Sequence, residues 1–180
     1  MSGRIFALVG PSGVGKDSLL AEAAARVPGL YVVQRVVTRA PGAGGEPCLA
    51  VSEARFDEML AEGGFALHWG AHGLRYGIRR SELAARAQGR PVVFNGSRGA
   101  LEQAAGALPE LEVLHVTTRP EVLAERLAAR GRESATEITA RLSRAALPLP
   151  AGLKVHEIDN SGPLDVAADR LVALLQPVRA

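Results

Sequence analysis

Short apolar runs alternate with segments of helical periodicity along most of this chain. Runs rich in Val, Leu, Ile and Phe are typical of buried strands, and they occur at residues 4–9, 30–37, 91–94, 112–116 and 154–158. Apolar positions three or four residues apart, bounded by capping or helix-breaking residues, predict helices at 17–26, 52–61, 83–87, 99–106, 118–130, 136–146 and 164–175. Strands that alternate with helices predict a three-layer α/β fold, in which helices cover both faces of a parallel sheet.

Two segments interrupt this alternation. Residues 34–88 and 130–150 are polar and punctuated by glycine for their length. Segments of this kind close over bound ligands in many enzymes, and we expect the same of both. Because the chain shows no internal repeat and no linker, residues 1–180 are predicted to form a single domain.

The composition is that of an ordinary globular protein, with 47% hydrophobic residues and a formal charge of +2. Cys48 is the only cysteine and has no internal disulfide partner, which fits a reducing compartment. The apolar run after MSGR is too short for a signal sequence, and no run approaches the roughly 20 apolar residues that span a bilayer. We therefore expect a cytoplasmic protein without a membrane partner, whose oligomeric state the composition leaves open.

The strongest chemical signal lies between the first predicted strand and the first predicted helix. Gly10, Gly15 and Lys16 satisfy the phosphate-loop pattern G-x-x-x-x-G-K. Glycines in such a loop let successive backbone N–H groups point at phosphate oxygens, and the helix N-terminus adds a favourable field. We predict that ATP binds here and that Lys16 reaches its β- and γ-phosphates as a catalytic residue. The predicted ATP-binding residues are Gly10, Pro11, Ser12, Gly13, Val14, Gly15, Lys16, Asp17 and Ser18.

Position 17 departs from the usual pattern. The residue after the lysine is commonly Ser or Thr, whose hydroxyl binds the Mg²⁺ that accompanies ATP, but here it is Asp17. The predicted strand at 91–94 is followed by Asn95 rather than by the aspartate that commonly helps to hold Mg²⁺. The helix dipole favours a carboxylate in the first turn, so Asp17 can replace that aspartate directly or through water, and Ser18 is the alternative ligand. Adjacent helical residues point about 100° apart, which argues against two direct ligands, and we favour Asp17 through water.

Two arginines follow in the first polar segment. Arg35 and Arg39 are four residues apart at the end of a predicted strand, so they lie on one face of an extended chain. Two guanidinium groups on one face make a clamp for a phosphate group. Tyr76 adds a candidate hydroxyl donor. The alternatives are a pair of solvated surface arginines and a half-buried packing tyrosine.

The second polar segment carries Arg130, Arg132 and Arg141. Phosphoryl transfer spreads negative charge over the moving group, and mobile arginines stabilise that charge, so these three are catalytic candidates. An exposed helix with interspersed Arg and Glu is the alternative interpretation. Glu133 and Glu137 interrupt the positive charge and no aromatic residue lies among them, which argues against a nucleic-acid partner.

Several of these residues belong to a larger pattern. The chain resembles the guanylate kinase branch of the nucleoside monophosphate kinases along nearly its whole length. The matching motifs, in order, are Gly10-Pro-Ser-Gly, Thr38-Arg39-Ala-Pro, His72-Gly73, Tyr76-Gly77 and Arg130-Gly-Arg132. This resemblance implies a phosphate-loop NTPase fold in which residues 34–88 bind the acceptor and 130–150 form a lid. The guanine-binding positions of that branch are not kept, because Leu67 replaces a glutamate and Gly96 an aspartate, while Arg35 replaces a phosphate-binding serine.

A closer resemblance is to the ribose 1,5-bisphosphate phosphokinases. The shared motifs are GPSGxGKDSLL, the Arg-x-x-Thr-Arg stretch, residues 69–77, Asn95-Gly-Ser-Arg98 and R-G-R-E-x-A-x-E-I-x-A-R-L-x-R at 130–144. The resemblance implies ATP-dependent phosphorylation of the 1-phosphate of ribose 1,5-bisphosphate, which gives phosphoribosyl diphosphate in phosphonate breakdown. Its substrate-binding residues would be Arg35, Arg39, Tyr76 and Arg98. An acceptor with two phosphates and no base fits an added arginine and missing guanine contacts. A nucleoside monophosphate kinase of the guanylate type and a non-catalytic guanylate-kinase-like binding module are the alternatives.

Overall fold

The structure is a computed structural model that describes residues 2–40, 47–131, 134–145 and 148–176. The strands in this part of the chain are β1 Ile5–Val9, β2 Tyr31–Val32, β3 Arg35–Thr38, β4 Cys48–Val51, β5 Phe65–Ala71, β6 Leu74–Arg79, β7 Val92–Asn95, β8 Leu111–Thr117 and β9 Lys154–Asp159. The α-helices are α1 Lys16–Arg26, α2 Glu53–Ala61, α3 Leu101–Ala107, α4 Pro120–Ala129, α5 Ala135–Ala145 and α6 Leu164–Leu175. Two 3₁₀ helices, Arg80–Gln88 and Arg98–Ala100, precede β7 and α3.

The main sheet has five strands in the order β2-β7-β1-β8-β9. All of its pairs are parallel, and the central strand β1 aligns Ile5 with Val92 of β7 and with Leu111 of β8. The predicted parallel sheet is therefore confirmed. Because the carboxyl ends of parallel strands meet at one edge, the loop after β1 and the residues after β7 and β8 lie on the same side of the sheet.

Two apolar clusters cover the two faces of this sheet. Ile5, Ala7 and Val9 face one cluster, which also contains Leu101 and Ala104 of α3. The intervening residues of β1, Phe6 and Leu8, face the other cluster, in which α1 and α6 pack. This alternation places helices on both sides, so the predicted three-layer α/β arrangement is confirmed.

A second sheet was not predicted. It contains four strands in the order β4-β3-β6-β5, with β3 parallel to β4 and antiparallel to β6. The single strand predicted at 30–37 is wrong, because the run divides between the two sheets: Tyr31–Val32 pairs with β7, and Arg35–Thr38 pairs within the second sheet. The division falls at Gln34, whose backbone N–H donates to the buried carboxylate of Glu82 at 3.0 Å.

The predicted helices were mostly confirmed. The side chain of Ser52 accepts a hydrogen bond from Arg55 N at the start of α2, as expected for an N-cap. Pro120 occupies the first turn of α4. The helix predicted at 83–87 is instead part of the longer 3₁₀ helix Arg80–Gln88, which ends at Gly89 as expected. In the described part of the chain, no helix has both the length and the apolar character that crossing a membrane requires.

Candidate active site

The glycine loop joins the carboxyl end of β1 to the N-terminus of α1. Gly15 caps α1 with φ +97°, and a Cβ at this position would lie 2.5 Å from Nδ2 of Asn160, so only glycine fits. Asn160 Nδ2 in turn donates to the Val14 carbonyl at 2.8 Å. The Val14 carbonyl therefore has a hydrogen-bond donor within the protein. The N-terminus of α1 presents the N–H groups and positive field that bind phosphate.

Lys16 extends back over this loop. Its Nζ donates to the carbonyl oxygens of Gly10 at 2.8 Å and Pro11 at 3.0 Å. The ammonium group is therefore held at the loop, beside the N-terminal end of α1. This is the position from which a lysine neutralises the phosphates that such a loop binds.

Asp17, Asn95 and Arg35 converge beside the loop. Asn95 Nδ2 donates to Asp17 Oδ1 at 3.3 Å, and the Asn95 backbone carbonyl accepts from Arg35 Nη1 at 2.9 Å. Arg35 and Asn95 are both buried, with 8% and 9% of their surface exposed, whereas Asp17 and Ser18 are exposed. The structure thus brings the candidate metal carboxylate and a candidate acceptor arginine together, although their positions are distant in sequence.

Tyr76 belongs to the same group of side chains. The Arg35 guanidinium lies over its ring, 5.0 Å from the ring centroid. The ring also stacks on Trp69 of the neighbouring strand, with centroids 5.5 Å apart and planes 9° from parallel. A cation over a stacked aromatic pair is held by packing as well as by charge. The Tyr76 ring therefore helps to keep Arg35 in place, and a contact of its hydroxyl with substrate stays a prediction.

Arg39 lines an open cleft in the second sheet. The cleft has a volume of about 460 Å³ and lies between residues 38–40 and 50–53. Arg39 Nη2 contacts Cys48 Sγ at 2.8 Å, which fixes the guanidinium across the paired strands β3 and β4. Arg35 lies on β3, whereas Arg39 follows the strand at a bend, where its backbone N–H donates to the Val37 carbonyl at 3.0 Å. The prediction that both arginines lie on one extended strand is therefore wrong for Arg39, which faces a space large enough for a sugar phosphate.

Leu67 and Gly96 occupy apolar surroundings. Leu67 is 2% exposed and packs in the same apolar cluster as Trp69 and Ile78. A Cβ at Gly96 would lie 3.3 Å from both Phe94 and Val9 side chains, so a larger side chain has little room there. These surroundings offer apolar contact rather than hydrogen bonds to a base.

The predicted lid arginines have different environments. Arg141, on α5, is half-buried, and Arg130 is exposed at the end of α4. Arg132 lies outside the described residues. Arg98 donates to the carbonyls of Arg144 at 2.7 Å and Ala145 at 2.9 Å. The guanidinium of Arg98 therefore holds the C-terminal turn of α5, where cations are favoured by the exposed carbonyls, and burial lowers its pKa.

A smaller cavity of about 160 Å³ separates the glycine loop from α5. Pro11 of the loop and Leu142 and Ala145 of α5 are among its lining residues, together with His115 of β8. Burial lowers the pKa of His115; the carboxylate of Glu157 opposes this shift, and the charge of Arg98 adds to it. The C-terminal half of α5 thus faces the phosphate loop.

Two residues at this site were missed by sequence reasoning. Asn160 is 2% exposed and holds the loop through Val14, as described above. Arg126 Nη2 donates to the Asn160 carbonyl at 2.8 Å, which fixes the loop to α4. Asn160 directly follows β9, and the carboxyl end of a parallel strand is the signal by which it could have been found.

The donors beside the loop suit Mg²⁺. Mg²⁺ prefers oxygen ligands and commonly takes one or two from the protein, with water and phosphate oxygens completing its shell. The Asp17 carboxylate and the Ser18 hydroxyl offer such oxygens in the first turn of α1. Across the ranges that the structure describes, no three histidine, cysteine or acidic side chains converge as a larger metal-binding group.

Comparison with named proteins gives matches along the whole chain. Over 179 residues the chain is 52% identical to the ribose 1,5-bisphosphate phosphokinase PhnN of Ruegeria sp. (strain TM1040), covering 99% of this chain and 94% of that protein. The protein of the same name from Azotobacter vinelandii (strain DJ / ATCC BAA-1303) is 50% identical over 179 residues, covering 98% of this chain and 97% of that one. No family model matches the chain.

Among solved structures, a guanylate kinase from Anaplasma phagocytophilum has a TM-score of 0.70. The match covers 97% of this chain and 85% of that one, at 18% identity. At this level of identity the match shows the fold alone, which is the phosphate-loop NTPase α/β fold.

Proposed function

Because the chain belongs to the ribose 1,5-bisphosphate phosphokinase family, we propose that it phosphorylates the 1-phosphate of ribose 1,5-bisphosphate with ATP, giving 5-phosphoribosyl 1-diphosphate in phosphonate catabolism. The structural observation that carries the proposal is the buried guanidinium of Arg35, held beside Asp17 and the phosphate loop by Asn95. A buried positive charge at the meeting point of donor and acceptor sites suits an acceptor that is itself a phosphate.

The reaction asks mainly for positioning and charge neutralisation. The bond between the γ-phosphorus and the β,γ-bridging oxygen breaks, and the γ-phosphorus bonds to an oxygen of the 1-phosphate, releasing ADP. A phosphate oxygen is already ionised near neutral pH, so this acceptor needs no general base. Phosphoryl transfer of this kind depends on cations and N–H donors that hold the β- and γ-phosphates of ATP in line with the 1-phosphate of the acceptor.

The donor side is built from the glycine loop and Lys16. The N-terminus of α1 would bind the phosphates of ATP, and Lys16 would move its Nζ from the Gly10 and Pro11 carbonyls to the β- and γ-phosphates. Preorganised cations at such positions stabilise the charge that develops on the transferred group. Lys16 is thus the catalytic residue on this side.

The acceptor side is built from the second sheet. Arg35 and Arg39 would bind the phosphates of the sugar, with Tyr76 and its stacking partner Trp69 holding Arg35 against Asn95. The cleft beside Arg39 has the volume for the sugar and its second phosphate.

Mg²⁺ would be held by Asp17, directly or through water, with Ser18 as the other candidate. When bound, the ion would neutralise negative charge on the phosphates of ATP. If Asp17 holds it, Asp17→Asn raises the Mg²⁺ concentration needed for half-maximal rate more than Ser18→Ala does. The reverse order would assign the metal to Ser18.

The lid completes the proposal. Arg130, Arg132 and Arg141 would close over the transferred phosphoryl group. Arg98, the remaining candidate for substrate binding, would also hold the last turn of α5 through the Arg144 and Ala145 carbonyls. Small molecules are the proposed partners, with neither nucleic acid nor membrane involved, and residues 1–180 would act as one cytoplasmic domain.

Guanylate kinase activity is a weaker alternative. The polar contacts that read guanine would have to come from Leu67 and Gly96, which lie in apolar surroundings. A non-catalytic binding module is also less well supported, because the glycine loop, Lys16 and Asp17 are all in place.

A substrate panel tests the proposal. Purified protein is given ATP and Mg²⁺ with ribose 1,5-bisphosphate, GMP or AMP in parallel, and ADP release is measured against the Lys16→Ala variant as a blank. We expect turnover with the sugar bisphosphate alone. Turnover with GMP would favour a guanylate-type kinase, and no turnover with any acceptor would favour a binding module.

A further inference from the structure

Asn95 contacts both halves of the site at once. Its side-chain Nδ2 donates to Asp17 Oδ1 of the phosphate loop at 3.3 Å, while its backbone carbonyl accepts from Arg35 Nη1 at 2.9 Å. The residue ends β7 and is 9% exposed, so packing fixes its position. The loop carboxylate and the acceptor arginine therefore share one rigid support.

The chemistry of this contact explains the residue types. A carboxylate only accepts hydrogen bonds, so an amide N–H is a suitable neighbour for Asp17. An aspartate at position 95 would set two carboxylates against each other and raise the pKa of one of them. Asp17 therefore supplies a carboxylate, and Asn95, which is adjacent in space, supplies the N–H donor that faces it.

Phosphate-loop enzymes commonly distribute these groups the other way. A neutral hydroxyl follows the loop lysine, and a carboxylate lies at the end of a neighbouring strand. Here the carboxylate follows the lysine and the neutral group ends the strand. One carboxylate is available to a metal ion in both arrangements. In this chain it lies on α1 and its hydrogen-bond partner ends β7, whereas the common arrangement places the carboxylate at the end of the strand.

We propose that Asn95 is a positioning residue for the metal site: its amide holds one oxygen of Asp17 and leaves the other for Mg²⁺, so that Asp17 and Asn95 work as an exchanged pair. The inference rests on the proposed function for its Mg²⁺–ATP complex. It adds that the geometry of the metal ligand depends on the end of β7. Because Arg35 bonds to the Asn95 backbone, substitution of the side chain leaves the acceptor arginine attached.

Metal binding tests this pair without relying on turnover. Mn²⁺ replaces Mg²⁺, a non-hydrolysable ATP analogue is added, and bound Mn²⁺ is measured by electron paramagnetic resonance for the intact protein, three variants of the pair and one control variant. We expect Asp17→Asn to weaken Mn²⁺ binding at least about tenfold, and Asn95→Ala to weaken it about fivefold, as loss of one orienting hydrogen bond predicts. The double variant Asp17→Asn/Asn95→Asp restores one carboxylate and one amide, and we expect its affinity within about threefold of the original. Gln103→Ala, which removes an exposed amide from α3, is the control.

Kinetics supply a second readout. Asn95→Ala should raise the Mg²⁺ requirement while leaving the KM for ribose 1,5-bisphosphate unchanged, because Arg35 keeps its backbone contact. The double variant Asp17→Asn/Asn95→Asp changes neither side chain's size or shape, so we expect it to fold. It replaces Asn95→Ala as the test if Asn95→Ala does not fold.

Two results would overturn the inference: Mn²⁺ affinity unchanged in Asn95→Ala, or an exchanged pair that binds Mn²⁺ as weakly as Asp17→Asn alone. Failure of the proposed function looks different. In that case Mn²⁺ binding follows the expected order, but ribose 1,5-bisphosphate is not phosphorylated.

Discussion

Replacing Arg35 by serine removes the buried charge on which the acceptor assignment depends. Arg35 is 8% exposed, and its guanidinium donates to the Asn95 carbonyl at 2.9 Å and lies 5.0 Å from the Tyr76 ring centroid. Serine keeps a polar group but has neither the charge nor the length to reach a bound phosphate. Arg35→Ser therefore removes a direct contact to the acceptor while leaving the glycine loop intact.

The size of the effect follows from the strength of one charge-assisted contact. A hydrogen bond to a charged group contributes about 1.5–3 kcal/mol. At about 1.36 kcal/mol per decade, kcat/KM for ribose 1,5-bisphosphate should fall roughly 10- to 150-fold. The KM for ATP should stay nearly unchanged, because the donor binds at the loop around Lys16. GMP should remain a poor substrate, because Leu67 still provides no polar contact to guanine.

Arg90 provides a matched control at the other end of β7. Its Nε donates to the Gly29 carbonyl at 2.9 Å, and its guanidinium lies 5.3 Å from the Tyr31 ring centroid. Arg90→Ser thus loses the same kinds of contact, far from the phosphate loop, and should leave both KM values unchanged. The assay is steady-state kinetics with each substrate varied in turn. If the two substitutions changed kcat/KM for the acceptor equally, a substrate role for Arg35 would be refuted. Its only remaining role would then be packing.

Three further predictions concern catalysis, pH and the lid. Lys16→Ala should lower kcat by about 10²–10³ with unchanged thermal stability, as measured by enzyme assay and circular dichroism. Hydrogen bonds from Arg4 and neighbouring cations lower the pKa of Glu112 from 4.5 to about 2. The carboxylate therefore stabilises the fold above about pH 4.5, and its contribution of about 3 kcal/mol is lost as the pH falls toward 2. Urea titrations should show that loss, and Glu112→Gln should abolish it. Arg98→Ala removes both bonds to the end of α5, so hydrogen exchange of its last turn should accelerate about tenfold, whereas rates in α1 should not change.

The phosphate loop and its flanking elements could be predicted because their signals are local. An apolar run, a glycine loop and a helical period are contiguous in residues 5–26, and the structure has β1, the loop and α1 in that order. The pairing of Asp17 with Asn95 could not be predicted in this way. It depends on the parallel alignment of β1 with β7, which only the folded sheet defines.

Part of the second sheet could have been predicted from local sequence signals for the β5–β6 hairpin. Residues 65–69 alternate buried and half-buried positions, as a strand does. His72 and Gly73 both have positive φ, 54° and 73°, which is the geometry of a tight hairpin turn between β5 and β6. The sequence His-Gly between two alternating runs therefore carried a hairpin signal. The division of the 30–37 run carried no such signal, because it depends on the carboxylate of Glu82.

Arg98 illustrates a limit of reasoning from motifs. The motif Asn95-Gly-Ser-Arg98 suggested a substrate contact, and that role stays a prediction. In the structure the guanidinium binds backbone carbonyls of α5, a contact between elements that are 46 residues or more apart in the chain. No spacing rule in the sequence points to such a partner.

Transfer of the γ-phosphoryl group of ATP to a sugar phosphate can be observed by ³¹P NMR of the product. Purified protein is incubated with ATP, Mg²⁺ and ribose 1,5-bisphosphate. We expect the 1-phosphate resonance to be replaced by two mutually split diphosphate signals, with the 5-phosphate signal retained and one ADP formed for each product. ADP formation without a sugar diphosphate signal, or phosphorylation of GMP in place of the sugar, would rule out the sugar phosphate as the acceptor.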